Sequence, residues 1–265
     1  QDLGILEMNL PAIPLFASTQ THNYEIDRIK FLDKVGFSRI ILARELALNE
    51  IELIRAETSV ELEAFVHGAL CVSLSGQCYA SEATTGRSAN RGACAQVCRM
   101  PFDLVTASGE PIMKDRHFLS LKDFNASKHI HNLVNAGISS FKIEGRLKDK
   151  TYLINNTAYY RTVIDNVLSH EPEYKRASSG KTVFTFEPDP EKSFNRGYTA
   201  YFAEGRSEHM ASFDTPKSMG KFVGTVISVR HNKLVLHTQE KITNGDGLCY
   251  IDKSGSLQGF NVNRA

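Results

Sequence analysis

From its start to about residue 170 the chain alternates short, β-branched apolar runs with segments of helical periodicity, and few folds accommodate that order. The strand-like runs are LGIL (3–6), IPLFAS (13–18), SRIILA (38–43), VELEAFV (60–66), HFLSL (117–121) and SSFKIE (139–144). Helical patterns fill 24–35, 48–57, 125–136 and 151–168, the third stopping at Gly137 as helices often do. Repeated βα units predict a parallel sheet, and six runs suggest most of a (β/α) barrel. Such a barrel needs about 250 residues, more than the βα pattern covers. The expectation is therefore an α/β fold, a partial TIM-like barrel lacking its first units, with a complete six-strand sheet as the competing reading. An open barrel edge would also offer a pairing surface for a second copy of the chain.

Beyond a charged, small-residue linker at 171–180 (EPEYKRASSG) the pattern changes to period two: KTVFTFEP, GKFVGTVISV, NKLVLHT and GLCYIDKSGSLQGFNV. This predicts a small all-β domain over 181–265 behind a barrel portion at 1–170, with hairpin turns at NGDG (244–247) and KSGS (253–256).

Four of the five cysteines, Cys71, Cys78, Cys94 and Cys98, fall within 28 residues as C-x6-C-x15-C-x3-C, inside a loop rich in glycine and serine. Soft thiolates gathered this way suit an iron–sulfur cluster or zinc. Zinc knuckles are usually two close pairs, and only Cys94 and Cys98 are close here, so a cluster is preferred and zinc stays open. Arg87, Arg91 and Arg99 against one acid, Glu82, would offset the charge of a thiolate-bound cluster. The fifth cysteine, Cys249, alternates like a buried strand residue and reads as a small hydrophobe.

In (β/α) barrels functional groups stand at the C-terminal ends of strands. That rule selects Arg44 and Glu45, then His67 leading into the cysteine loop, then Lys142, Glu144 and Arg146. Each has a plainer reading. Arg44 with Glu45, or Glu144 with Arg146, could be rim ion pairs, and His67 could be a proton donor, a hydrogen-bonded structural histidine or, last, a ligand. Lys142, Arg146, Lys148 and Lys150 form a basic stretch able to hold phosphate or a dicarboxylate, or simply a solvated helix start. Zinc-protease and nucleophile-elbow motifs are absent, and SSGKT fails as a phosphate loop because its upstream glycine is Lys175.

Lys and Arg total 31 against 30 acidic residues, so any nucleic-acid contact must come from a local patch rather than global charge. No apolar run reaches membrane-spanning length, and clustered cysteines without a secretory leader predict a cytoplasmic protein with no membrane association.

These residues resemble a known family. ELEAFVHGALCVSLSGQC is similar to the signature of peptidase family U32, the collagenase-like proteins, and FASTQ, RIILAREL, GRSANRGACAQVCR, SLKDF and FKIEGRLKDKTYLINNTAYYRTVID resemble its other blocks in order. The resemblance implies an RNA-modifying hydroxylase rather than a protease, with Cys71, Cys78, Cys94 and Cys98 ligating a 4Fe-4S cluster. It also implies ribosomal or transfer RNA as partner and prephenate as a co-substrate in some members. The tail looks most like the branch acting on a cytidine of large-subunit ribosomal RNA. The alternatives are a collagenase-like peptidase using His67 with a cysteine, and a zinc-stabilised scaffold without activity.

Overall fold

The computed structural model describes residues 2–231 and 233–265. Its main unit is a mixed sheet built on parallel strands: β1 (Phe16–Ala17), β2 (Arg39–Ile41), β3 (Glu61–Gly68) and later β7. Helices α1 (Ile26–Lys34) and α2 (Leu48–Glu57) connect the first three. Both are amphipathic, burying Ile29 with Leu32 and Ile51 with Ile54 against Ile40, Leu42, Leu62 and Val66. Each such side chain is worth about 1.5–3 kcal/mol when fully buried. α2 is fixed at its start by Glu50, whose Oε2 accepts from the Ala47 amide at 2.7 Å.

After β3 come the cysteine loop with a short α3 (Ala80–Thr85), a hairpin of β4 (Phe102–Val105) and β5 (Pro111–Arg116), and then β6 (Asp123–Asn125). α4 (Ile130–Asn135) leads through Gly137, at φ 85, into β7 (Ile138–Glu144), and α5 (Lys150–His170) follows. β7 runs parallel to β3 from Leu62↔Ile138 to Gly68↔Glu144. β6 joins the end of β3 antiparallel and carries β8 (Tyr198–Thr199) on its other side. Among the described residues no strand pairing closes this sheet into a ring. Two further antiparallel hairpins follow, β9 (Thr225–Arg230) with β10 (Lys233–His237) and β11 (Gly247–Ile251) with β12 (Leu257–Asn261), the second turning at KSGS through Gly255 at φ 83. NGDG at 244–247, expected as a hairpin turn, instead joins β10 to β11, two strands that do not pair among the described residues.

Three strand expectations change, and one hairpin is added. LGIL is a 3-10 turn, because the Asp2 carboxylate caps the Gly4 amide at 2.8 Å and no sheet neighbour is available. HFLSL forms no strand: Ser120 N turns back to His117 O, and Leu121 makes one bridge to Ala211 before β6 begins. KTVFTFEP has no ladder partner and stays irregular. The β4–β5 hairpin was not anticipated, although TASGEP between FDLV and PIMK is a turn signal, with Gly109 at φ 86.

The tail also differs from the expected partition. Residues 189–215 pack on the α/β unit through β8 and through the buried pair Asp123–Arg196, whose side chains are 3% and 8% exposed. Short segments tied by side-chain bonds carry no periodicity, so the sequence assigns them elsewhere. Cys249 is exposed, not buried, its Sγ donating to Met219 O at 3.4 Å. That hairpin covers neither face of itself with a second layer near Cys249.

Candidate functional site

The cysteine loop leaves β3 through Gly68. Gly68 has φ 107, and a Cβ there would stand 2.3 Å from the Glu144 carbonyl oxygen. Only glycine lets the loop start this close to the end of β7. The loop is then stapled to three neighbouring segments. Ser75, at φ 52 and fully buried, donates its amide N–H to Glu45 Oε1 at 2.9 Å, and its hydroxyl meets His22 Nδ1 at 2.8 Å. Gln20 Nε2 donates to Gly76 O at 3.3 Å, and Gln77 Nε2 donates to Gln20 O at 2.8 Å. On the far side Arg99 donates to Ser120 Oγ, Leu121 O and Leu70 O at 2.8, 2.6 and 3.0 Å. Arg146 donates to Gly92 O, and Arg87 to Cys94 O at 3.2 Å.

All four loop cysteines are free thiols, half-buried. Burial pushes Cys98 up, opposed by Arg99 and reinforced by Cys71, Cys94 and Cys78, so Cys98 lies within reach of the charge of the other three. Cys78 is held below the ordinary thiol range, first by the Ser81 amide and further by the Ser73 side chain and the Ala80 amide, while burial opposes the shift. Among the described residues no three His, Cys, Asp or Glu side chains close to single-ion distance. Of the three expected arginines, Arg99 acts on Cys98 directly, Arg87 binds backbone, and Arg91 is exposed.

Arg44, Glu45 and Glu144 meet beside Cys71. The Arg44 guanidinium lies 3.9 Å over the Phe65 ring, is 11% exposed, and has Glu144 Oε2 at 3.9 Å. Burial lowers its pKa, countered by Glu144, Cys71 and Glu45. Glu144 Oε1 also accepts the Arg146 amide at 2.9 Å. Lys142 stands apart from Arg146, its Nζ 4.9 Å over Phe65 and 3.8 Å from Glu63 Oε1. The expected basic stretch is therefore split: Lys142 faces the strand surface, Arg146 ties down the loop, and Lys148 sits 3.2 Å over Phe194.

His67 is not at this cluster. It is 1% exposed, surrounded by Tyr152, Tyr160 and Tyr198 at ring-centroid distances of 6.0, 5.4 and 5.4 Å. Tyr160 Oη approaches its Nδ1 at 3.4 Å, Nε2 has no partner, and burial lowers its pKa to about 4. The imidazole is therefore held neutral inside a tyrosine cage.

Sequence reasoning missed Tyr201. It is 7% exposed, takes φ 53 and stacks on Phe202 at 4.2 Å. Burial, then the charges of Glu45 and Cys71, push its pKa up to about 12, with Arg44 opposing. It arrives from the tail segment, and only its place after RGYT marks it. A cavity of about 670 Å³ flanks α5, lined in part by Lys148, Tyr152, Phe186, Lys192 and Phe194. Its lysines are outnumbered by Asp149, Glu187 and Asp189, so it does not favour a dicarboxylate.

The sequence pattern of peptidase family U32 matches residues 1–212. The chain belongs to peptidase family U32. It is 46% identical to the 23S rRNA 5-hydroxycytidine synthase of Escherichia coli over 99% of this chain and 40% of that protein. It is 34% identical to an uncharacterized protease of Methanocaldococcus jannaschii over 86% of this chain and 58% of that one. A tRNA hydroxylation protein of Bacillus subtilis is 30% identical over 87% of this chain and 56% of its own length. The chain thus spans about half the length of these curated relatives. No solved structure matches it. No helix among the described residues is long and apolar enough to cross a membrane.

Proposed function

We propose that this U32 chain is part of an RNA-modifying hydroxylase that acts on a pyrimidine and holds a 4Fe-4S cluster on Cys71, Cys78, Cys94 and Cys98. The carrying observation is that all four cysteines are free, half-buried thiols on one loop that leaves the end of β3 beside β7, with Cys71, Cys94 and Cys78 within electrostatic reach of Cys98. Four thiolates spaced C-x6-C-x15-C-x3-C, with only Cys94 and Cys98 close in sequence, suit a multi-iron cluster better than the two close pairs usual for zinc. The family and the hydroxylase relatives support the same reading. The parallel β1–β2–β3–β7 arrangement is read as part of a (β/α) barrel, whose strand ends carry the site.

When bound, such a cluster supplies electron-transfer chemistry that side chains lack. The chain's own residues hold and shield it. Glu45, His22 and Gln20 fix the segment between Cys71 and Cys78, Arg99 lowers the cost of charge near Cys98, and Arg146 anchors the loop at Gly92. Arg44 and Glu144 remain beside Cys71 to meet substrate.

Anaerobic purification tests this. About four iron and four acid-labile sulfide per chain are expected, and RNA from cells lacking the gene should lose one hydroxylated pyrimidine nucleoside. A chain that stays free of iron after reconstitution, or an unchanged nucleoside profile, overturns the proposal.

A further inference from the structure

Of the polar groups gathered around Arg44, one is buried without a partner and two more are left free to meet a ligand. Glu45 Oε1 is spent on the Ser75 amide, but Oε2 is shielded from solvent and accepts nothing. Among the described residues the Arg44 guanidinium, with its nearest acid at 3.9 Å, and the Tyr201 hydroxyl make no hydrogen bond within the chain, and unlike Glu45 Oε2 neither is shut off from solvent. An unmet acceptor in a desolvated setting, as Glu45 Oε2 is, costs about 1–3 kcal/mol, which a fitting ligand recovers.

The charge balance narrows the ligand. One arginine faces two carboxylates, Glu45 and Glu144, so a further anion gains little there. A neutral, planar group offering both a donor and acceptors gains most. The guanidinium stands 3.9 Å over the centre of the Phe65 ring, and its paired in-plane N–H groups suit two adjacent acceptors. Cytosine has that pair at N3 and O2, next to an amino group that a carboxylate accepts; uracil places an N–H at N3 and an oxygen at position 4.

We propose that Arg44, Glu45 and Tyr201 read the pairing edge of an unstacked cytosine, with Glu45 Oε2 accepting from the exocyclic amino group and so selecting cytosine over uracil. This rests on the RNA-hydroxylase reading. Reaching the shielded oxygen requires local movement, and Tyr201, an aromatic residue held at φ 53, sits in strained backbone at that spot.

The test is fluorescence anisotropy of the full-length protein with short ribo-oligonucleotides that differ at one position: cytidine, uridine or N4,N4-dimethylcytidine. The wild-type protein should bind the cytidine oligonucleotide about tenfold or more tighter than either other. Glu45→Gln keeps the Oε1 acceptor for Ser75 and replaces the reading oxygen with a donor. It should cut the cytidine preference to twofold or less, with melting temperature and iron content unchanged. Equal binding of cytidine and dimethylcytidine by the wild type, or an unchanged preference in Glu45→Gln, overturns base reading while leaving RNA binding intact. Failure to bind any of the oligonucleotides overturns both this proposal and the RNA-hydroxylase reading. The dimethylcytidine comparison uses the wild-type chain, so it decides the matter even where the variant misfolds.

Discussion

Gly68 and Glu144 face each other across the ends of β3 and β7, and a Cβ on residue 68 would stand 2.3 Å from the Glu144 carbonyl oxygen. Gly68→Ala therefore meets backbone rather than a yielding side chain, at φ 107 where L residues are strained. The expected cost is about 3 kcal/mol or more. Urea unfolding measures it, and iron content should fall in parallel, because the cysteine loop starts from this contact. A variant as stable as the wild type would contradict the geometry.

His67 makes stability pH-dependent in a defined direction. Burial lowers its pKa to about 4 from an ordinary 6.5, so the native state refuses a proton that the unfolded chain accepts. Its contribution is fully present above pH 6.5 and is lost as pH falls through that window to about 4, by about 3 kcal/mol in all. His67→Phe should show a smaller loss between pH 7 and pH 4.5 in urea midpoints. Equal slopes for the two proteins would remove His67 as the cause.

The Asp123–Arg196 pair joins the tail segment to β6. Asp123 carboxylate oxygens accept the Arg196 amide at 2.7 Å and its Nη1 at 3.1 and 3.3 Å. Asp123→Asn leaves a buried guanidinium without its counter-charge, at an expected cost of about 3–5 kcal/mol. Paired replacement by Leu and Met should recover much of it. Chemical denaturation of the three variants checks the ordering.

The five cysteines should divide four to one. Cys249→Ser changes an exposed thiol on a hairpin and should leave iron content as it was. Serine at Cys71, Cys78, Cys94 or Cys98 should each lower iron and the visible absorption of the reconstituted protein by more than half. Loss of iron in Cys249→Ser, with retention in the other four, would reassign the ligands.

Much of the α/β unit was legible because its elements carry their own periodicity. SRIILA, VELEAFV and SSFKIE became β2, β3 and β7, and the helical patterns at 48–57 and 151–168 became α2 and α5 with little change of bounds. Cysteine spacing and strand-end position likewise singled out the loop and Arg44, Glu45 and Glu144. Where local signals were weak, the reading failed. LGIL has strand composition, but a strand needs a neighbour, and Asp2 capping wins when none exists. For His67, near the end of β3, spacing along the chain could not show that α5 and β8 bring three tyrosines around it.

The sequence by itself determined the order of βα units, the four-thiol loop and the family, because these depend on composition and spacing along the chain. Tertiary structure alone decided that residues 189–215 return to the sheet, that His67 is caged, and that Tyr201 joins Arg44 and Glu45 beside Cys71. Those relationships rest on side chains distant in sequence meeting in space, where burial and unmatched hydrogen-bonding groups, rather than periodicity, set the chemistry.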